Sequence, residues 1–329
     1  MVVLYHSARH LDKVYGVPGL MHMVQFGHAG VDLFFVLSGF IILHVHYGDV
    51  GRPDRASRYV ERRLSRILPT YWVALAVTII LGLAGGHPSP PVFDVAWSAA
   101  LLPSHSEPLL GVAWTLQFEM IFYAGFCLLI LNRRFGLAAF TLWLGWIAFA
   151  AIGGGISSAI PKSLYAAYNL EFFMGMGAAY WFRNHAVSAP RRLMLVGTAL
   201  FALAAVAENL NYTDGYASLS RLIYGCPAAM IVLGAAAAER GDSIKVPRLF
   251  KILGTASYSI YLFQFVFIAI AWKLWLAVGL DETMPHITSF PVLAAAGLIG
   301  GVFASRWVEY PLMGWIRRLR HPVLRKINA

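Results

Sequence analysis

Apolar runs long enough to cross a bilayer recur along the whole chain and are broken only by short polar segments. A helix needs roughly 20 apolar residues to cross about 30 Å of hydrocarbon. On that rule full spans fall at 29–47, 69–86, 114–131, 136–154, 168–182, 193–208, 219–238, 252–278 and 290–310. The pattern predicts an all-α protein, a polytopic transmembrane helix bundle of nine full spans. A short apolar helix precedes them, covering only about 13 Å from Met1 to Arg9, less than half a bilayer. Residues 1–316 are expected to form one transmembrane domain and 317–329 a basic tail, with no fused periplasmic domain and no cleavable leader.

Composition agrees with the pattern. The 329 residues are 59% hydrophobic and 13% charged, whereas soluble domains carry about 25% charge. The two cysteines, Cys127 and Cys226, lie inside apolar segments without metal-ligand spacing, so neither a zinc site nor a disulfide is expected.

Charge adds orientation. Of 26 Lys and Arg residues, 20 fall in 51–67, 132–135, 183–192, 239–251 and 317–326, which alternate with segments rich in Pro, Gly, Ser and His. Positive residues are retained on the cytoplasmic side, so these segments and the C-terminus are expected inside. The net charge of +10 is thus explained by topology and not by nucleic-acid binding. The 51–67 segment differs from the other basic ones in carrying Arg52, Arg55, Arg58, Arg62, Arg63 and Arg66 and no lysine. A planar guanidinium suits bidentate phosphate contact, so this segment fits either a phosphorylated ligand or lipid headgroups.

Candidate chemistry lies where polar residues interrupt apolar helices, since each costs several kcal/mol unless paired, hydrated or useful. His6 follows the apolar start Val2-Val3-Leu4-Tyr5 and has the side chain best suited to general-base work near neutral pH; an interfacial histidine reads the same way. Asp32 opens the Gly30 to Phe40 block, where it either meets the helix dipole or points inward on the face shared with Val36 and Gly39, a glycine that lets another backbone approach. His44 and His46 are about 200° apart around a helix and make no metal pair. Trp114 to Tyr123 places Thr115, Glu119 and Tyr123 on one stripe, and Glu119, more than one turn inside the span, is the most conspicuous carboxylate. Ser257, Tyr261 and Gln264 form a second polar stripe, suited equally to interhelical hydrogen bonds and to a substrate tunnel.

These blocks, in this order, resemble the membrane-bound acyltransferase 3 family, especially its exopolysaccharide-modifying, ExoZ-like members. The resemblance runs nearly end to end. It is carried by the Val2 to His6 start, the Gly30-Val31-Asp32-Leu33-Phe34-Phe35-Val36-Leu37-Ser38-Gly39-Phe40 block, Arg62 to Trp72, Trp114 to Tyr123, Ser257 to Gln264, and Glu309-Tyr310-Pro311.

The resemblance implies a ten-helix bundle in the bacterial inner membrane. Such a bundle passes an acyl group, usually acetyl, from cytoplasmic acyl-CoA to a hydroxyl of an exported polysaccharide or its lipid-linked oligosaccharide precursor. It implies that His6 is the essential histidine, that Arg63 and Arg66 are the Arg-x-x-Arg pair facing the donor, and that Glu119 is the acid of the Trp-to-Glu segment. Asp32, Ser38, Trp114, Tyr123, Ser257, Tyr258, Tyr261, Gln264 and Glu309 then line or support the substrate path. Acetyl-CoA serves as donor substrate with no resident cofactor or metal, and membrane lipid and polysaccharide-assembly proteins are the remaining partners. Relatives commonly carry histidine where Gln264 stands, and an arginine some ten residues before the histidine, a position that lies ahead of Met1. The competing function class is a transporter or exporter of a glycan or small metabolite, because intramembrane acids and histidines also mark ion-coupled pathways.

Overall fold

The computed structural model describes residues 1–16, 18–241 and 244–320, and every regular element among them is helical. The helices are α1 (Val2–Tyr15), α2 (Pro18–Val24), α3 (Gly30–His46), α4 (Ala56–Ala84), α5 (Val92–Ala99), α6 (Trp114–Leu131) and α7 (Arg133–Ala151). They continue with α8 (Tyr168–Asn184), α9 (Pro190–Asn209), α10 (Ser220–Arg240), α11 (Arg248–Ala277), α12 (Leu280–Thr283), α13 (Ser289–Ala304) and α14 (Tyr310–Arg320). A π-helical turn, Ser305–Glu309, joins α13 to α14. The 317–329 tail expected from the sequence lies outside the described residues beyond Arg320.

Eight of the described helical segments are long and apolar enough to cross a membrane, against the nine expected. The difference is α8. Its 17 residues rise about 25 Å, short of the hydrocarbon thickness, and Asn169 and Glu171 occupy its first turn. The 14 residues of α1 are shorter still. That helix nonetheless runs past Arg9 to Tyr15, where Gly16 in the left-handed conformation caps it and returns its N–H to the Asp12 carbonyl at 2.8 Å.

Two connecting segments expected as loops contain helices. α2 lies between α1 and α3. α5 is tied to α4, since Tyr71 donates to the Ser98 carbonyl at 2.7 Å and Trp72 to that of Ala99 at 2.9 Å. The arginine-rich 51–67 segment is also mostly helix, because α4 begins at Ala56. Arg63 and Arg66 therefore stand on a rigid element, three residues apart on one face.

The core is divided between α3, α8, α9 and α10 on one side and α1, α11 and α13 on the other, with α4 and α6 between them. Glycine decides how closely α3 and α8 approach. A Cβ at Gly39 would overlap the Phe172 carbonyl, and one at Gly175 would overlap that of Val36. The two crossing helices thus touch backbone to backbone from both sides, in the small-residue packing that lipid-embedded helices use.

Candidate active site

The stripe on α6 faces inward along its full length, and Thr115, Glu119 and Tyr123 are all buried. Glu119 accepts a hydrogen bond from Ser38 of α3 at 3.0 Å and another, very short, from Tyr123 one turn along its own helix. Both reach the same oxygen, Oε1, so the carboxyl group is oriented from one side.

Toward the basic end, the Arg63 guanidinium lies over the rings of Tyr123 and Tyr59, 5.6 and 5.9 Å from their centres. Tyr59 in turn donates to the Tyr123 carbonyl at 3.2 Å. Arg66 turns the other way. It pairs with Glu309 at 2.5 Å and lies over Tyr258, whose hydroxyl donates to the Ile67 carbonyl at 2.8 Å. The two arginines therefore face α6 and α11 respectively, on either side of the gap between those helices.

Glu309 is fully buried, whereas the Arg66 side chain is 48% exposed. The carboxylate is also held by Ser259 at 2.6 Å and Ser305 at 3.2 Å. It projects from the π turn, an irregularity that recurs at functional sites. Ser259 makes this contact rather than Ser257, which is exposed and donates to the Gly254 carbonyl of its own helix.

Toward the opposite end, Tyr261 of α11 joins α6. Thr115 donates to the Tyr261 hydroxyl at 2.9 Å, and that hydroxyl donates to the Val112 carbonyl at 3.0 Å. One turn further, Gln264 is fully buried; its amide nitrogen donates to the Tyr261 carbonyl, but its oxygen has no partner among the described residues. The neighbouring Phe265 meets the half-buried ring of His6 edge-on, with centroids 4.5 Å apart. Trp114 belongs to an aromatic cluster with Phe35, Phe118 and Tyr168.

Asp32 is fully buried, on the face shared with Val36 and Gly39, and points inward. Its partner is Arg221 of α10, itself buried, which also donates to the Gly215 carbonyl, lies 4.3 Å over the Tyr168 ring and approaches Glu171 at 3.9 Å. Beside it a second buried group joins His28 to Glu208 at 2.7 Å and Tyr224 to Glu208 at 2.6 Å. Tyr216 stacks on His28 and shares a 2.6 Å hydrogen bond with Tyr5, the residue before His6. Sequence reasoning passed over Glu171, Glu208 and Arg221, although each is an ionisable residue in an apolar helix and the criterion that selects Glu119 selects them too.

The arrangement is a row of polar side chains on α4, α6 and α11 inside an apolar bundle, with two arginines at one end and His6 of α1, across the Phe265 ring, at the other. The profile of the family described as an acyltransferase domain matches residues 1–307. The chain belongs to this acyltransferase family. It is also similar to the exopolysaccharide production protein ExoZ of Rhizobium meliloti (strain 1021), with 31% identity over 310 residues that cover 89% of this chain and 91% of that protein. No solved structure matches it significantly. The protein is accordingly a multi-pass membrane acyltransferase, and the line of polar groups is its candidate active site.

Proposed function

We propose that this membrane acyltransferase takes an acetyl group from acyl-CoA on the cytoplasmic side of the inner membrane and places it on a hydroxyl of an exported polysaccharide or its lipid-linked precursor. The observation that carries this reading is the alignment of polar groups along the facing sides of α4, α6 and α11, with His6 beside Phe265 at the far end. Arg63 touches Tyr123, Tyr123 and Ser38 hold Glu119, Thr115 joins Tyr261, and Phe265 leads to His6. The likeness to an exopolysaccharide production protein over nearly its full length supports the acceptor class.

In this scheme Arg63 and Arg66 hold CoA phosphates at the basic mouth, where fork-shaped donors suit phosphate oxygens. His6 removes the proton from the sugar hydroxyl as its oxygen attacks the thioester carbonyl carbon. The C–O bond forms, the C–S bond breaks, and the departing CoA sulfur takes up a proton, so the exchange balances. Glu119, fixed by its two donors, orients the reacting groups. The C-terminus lies in the cytoplasm with the basic segments.

The test is release of free CoA by purified protein given acetyl-CoA and lipid-linked oligosaccharide. His6→Ala and Glu119→Ala are expected to abolish release while leaving the bundle folded, read as a cooperative thermal unfolding transition in detergent. Movement of labelled acceptor across proteoliposomes without CoA release would instead support a transporter.

A further inference from the structure

The last residues of α3 separate two different environments. His46 faces α4, where it bonds Asp49 at 2.8 Å and meets the Tyr59 ring edge-on, on the side that carries Arg63. His44 leaves the helix on another side and faces Phe182 of α8, with ring centroids 5.3 Å apart. A cavity of about 640 Å³ lies there between the ends of α3, α8 and α10, lined by Phe40, His44, Phe182, Arg183, Glu239 and Arg240. The polar line described above contains none of these residues.

Both arginines of this cavity are held in place. Arg183 donates to the His44 carbonyl at 3.1 Å and lies 4.6 Å over the Tyr47 ring. Arg240 donates to the Phe182 carbonyl at 3.0 Å and lies 3.9 Å over the Phe182 ring. In these bonds each commits one of its five N–H donors. Topology requires positive charge at this end of the bundle, but it does not require two guanidiniums stacked on rings around one hollow. His44 contributes a further polar atom, since its Nδ1 is buried without a partner among the described residues.

The charge pattern selects among anions. Glu239 adds a carboxylate, and the C-terminal ends of three helices add partial negative charge, so a free phosphate dianion meets repulsion as well as attraction. A phosphodiester with a single charge and a neighbouring hydroxyl or N–H-bearing ammonium fits better, its phosphate on the arginines and its donor on Glu239. Phe40 gives the cavity an apolar wall that suits the start of an acyl chain. We propose that this cavity binds the phosphodiester headgroup of a phospholipid at the basic end of the bundle, separately from the Arg63 and Arg66 pair.

Native mass spectrometry of the protein in neutral detergent tests this with dioleoylphosphatidylglycerol, dioleoylphosphatidylcholine and soluble glycerophosphoglycerol. Phosphatidylglycerol, which carries headgroup hydroxyls, is expected to bind at least about tenfold tighter than phosphatidylcholine, which carries none. The preference is expected to disappear in Arg183→Gln/Arg240→Gln and also in Arg183→Lys/Arg240→Lys, with unfolding temperatures in lipid-free detergent showing that both variants fold. Equal binding of the two lipids by the unaltered protein overturns the proposal. So does full preference in the lysine variant, which would mean ordinary surface attraction. Binding of glycerophosphoglycerol as tight as that of the lipid overturns the lipid assignment in favour of a soluble phosphodiester.

Discussion

Ser38 and Glu119, 81 residues apart in the chain, meet across the interface between α3 and α6 at 3.0 Å. This contact ties the α3 block to the acid of the α6 stripe. Ser38→Ala removes one of the two donors on Glu119 Oε1 and leaves Tyr123 as the other. A net hydrogen bond is worth about 0.5–1.5 kcal/mol, so CoA release is expected to fall several-fold to about tenfold, with little change in unfolding temperature. Ser38→Thr, which keeps the hydroxyl, is expected to retain more activity than Ser38→Ala.

Arg66 pairs with Glu309 and, in the proposed scheme, also holds a CoA phosphate; lysine can perform only the first. Arg66→Lys keeps a positive charge opposite the buried Glu309 but loses the planar fork, so the KM for acetyl-CoA is expected to rise about tenfold while thermal stability holds. Arg66→Ala leaves Glu309 with only Ser259 and Ser305. Because Arg66 is about half exposed, solvent screens the pair, and the expected stability loss is about 1–2 kcal/mol. Unfolding curves and donor titrations of the two variants separate these effects.

The Asp32 and Arg221 pair is a different case, because both side chains are sealed from solvent. Arg221→Ala would leave Asp32 beside Glu171 with no cation, and breaking such a pair costs about 3–5 kcal/mol. Loss of folded protein on size exclusion is the expected outcome, with partial recovery in Arg221→Ala/Asp32→Asn. Glu171→Gln keeps the size of the side chain beside Asp32 and Arg221 and can carry no charge there, and is expected to be tolerated in the same assay.

Gln264 separates a structural role from a functional one. Its buried oxygen has no partner among the described residues and its nitrogen donates to the Tyr261 carbonyl one turn back, so Gln264→Leu is expected to cost the fold no more than about 1 kcal/mol. If that oxygen meets a substrate group, CoA release falls by about tenfold or more. Unchanged release would remove Gln264 from the path.

Gly175→Ala tests the packing on which these contacts depend. Its new methyl would meet the Val36 carbonyl, a backbone group that cannot rotate away. The expected penalty is on the order of 3 kcal/mol, read as a lower unfolding temperature, and Gly177→Ala, where no atom stands in the way, serves as the control.

The membrane helices were legible because crossing a bilayer imposes a length and an apolar composition that few other segments share. The α6 stripe was legible because its members are spaced by one helical turn, so one helix suffices to align them. Ser259 was hidden by the same reasoning, since it lies off the Ser257, Tyr261 and Gln264 stripe and its partner Glu309 is 50 residues away. Arg221 and Asp32 are 189 residues apart, and no local pattern links them. The start of α4 was hidden for another reason: a helix turn rich in arginine has no apolar period and reads as a loop.

The glycine crossing of α3 and α8 has a mechanical meaning. In the proposed scheme the enzyme links two compartments, and such a catalyst must not open both mouths together, or it becomes a leak. With nothing larger than a hydrogen atom between their backbones at Gly39 and Gly175, α3 and α8 cannot slide past each other without collision, and they act as a fixed post. The elements carrying Arg66 and Glu309, namely α4 with Pro69 inside it and the π turn leading into the last helix, lie outside that lock.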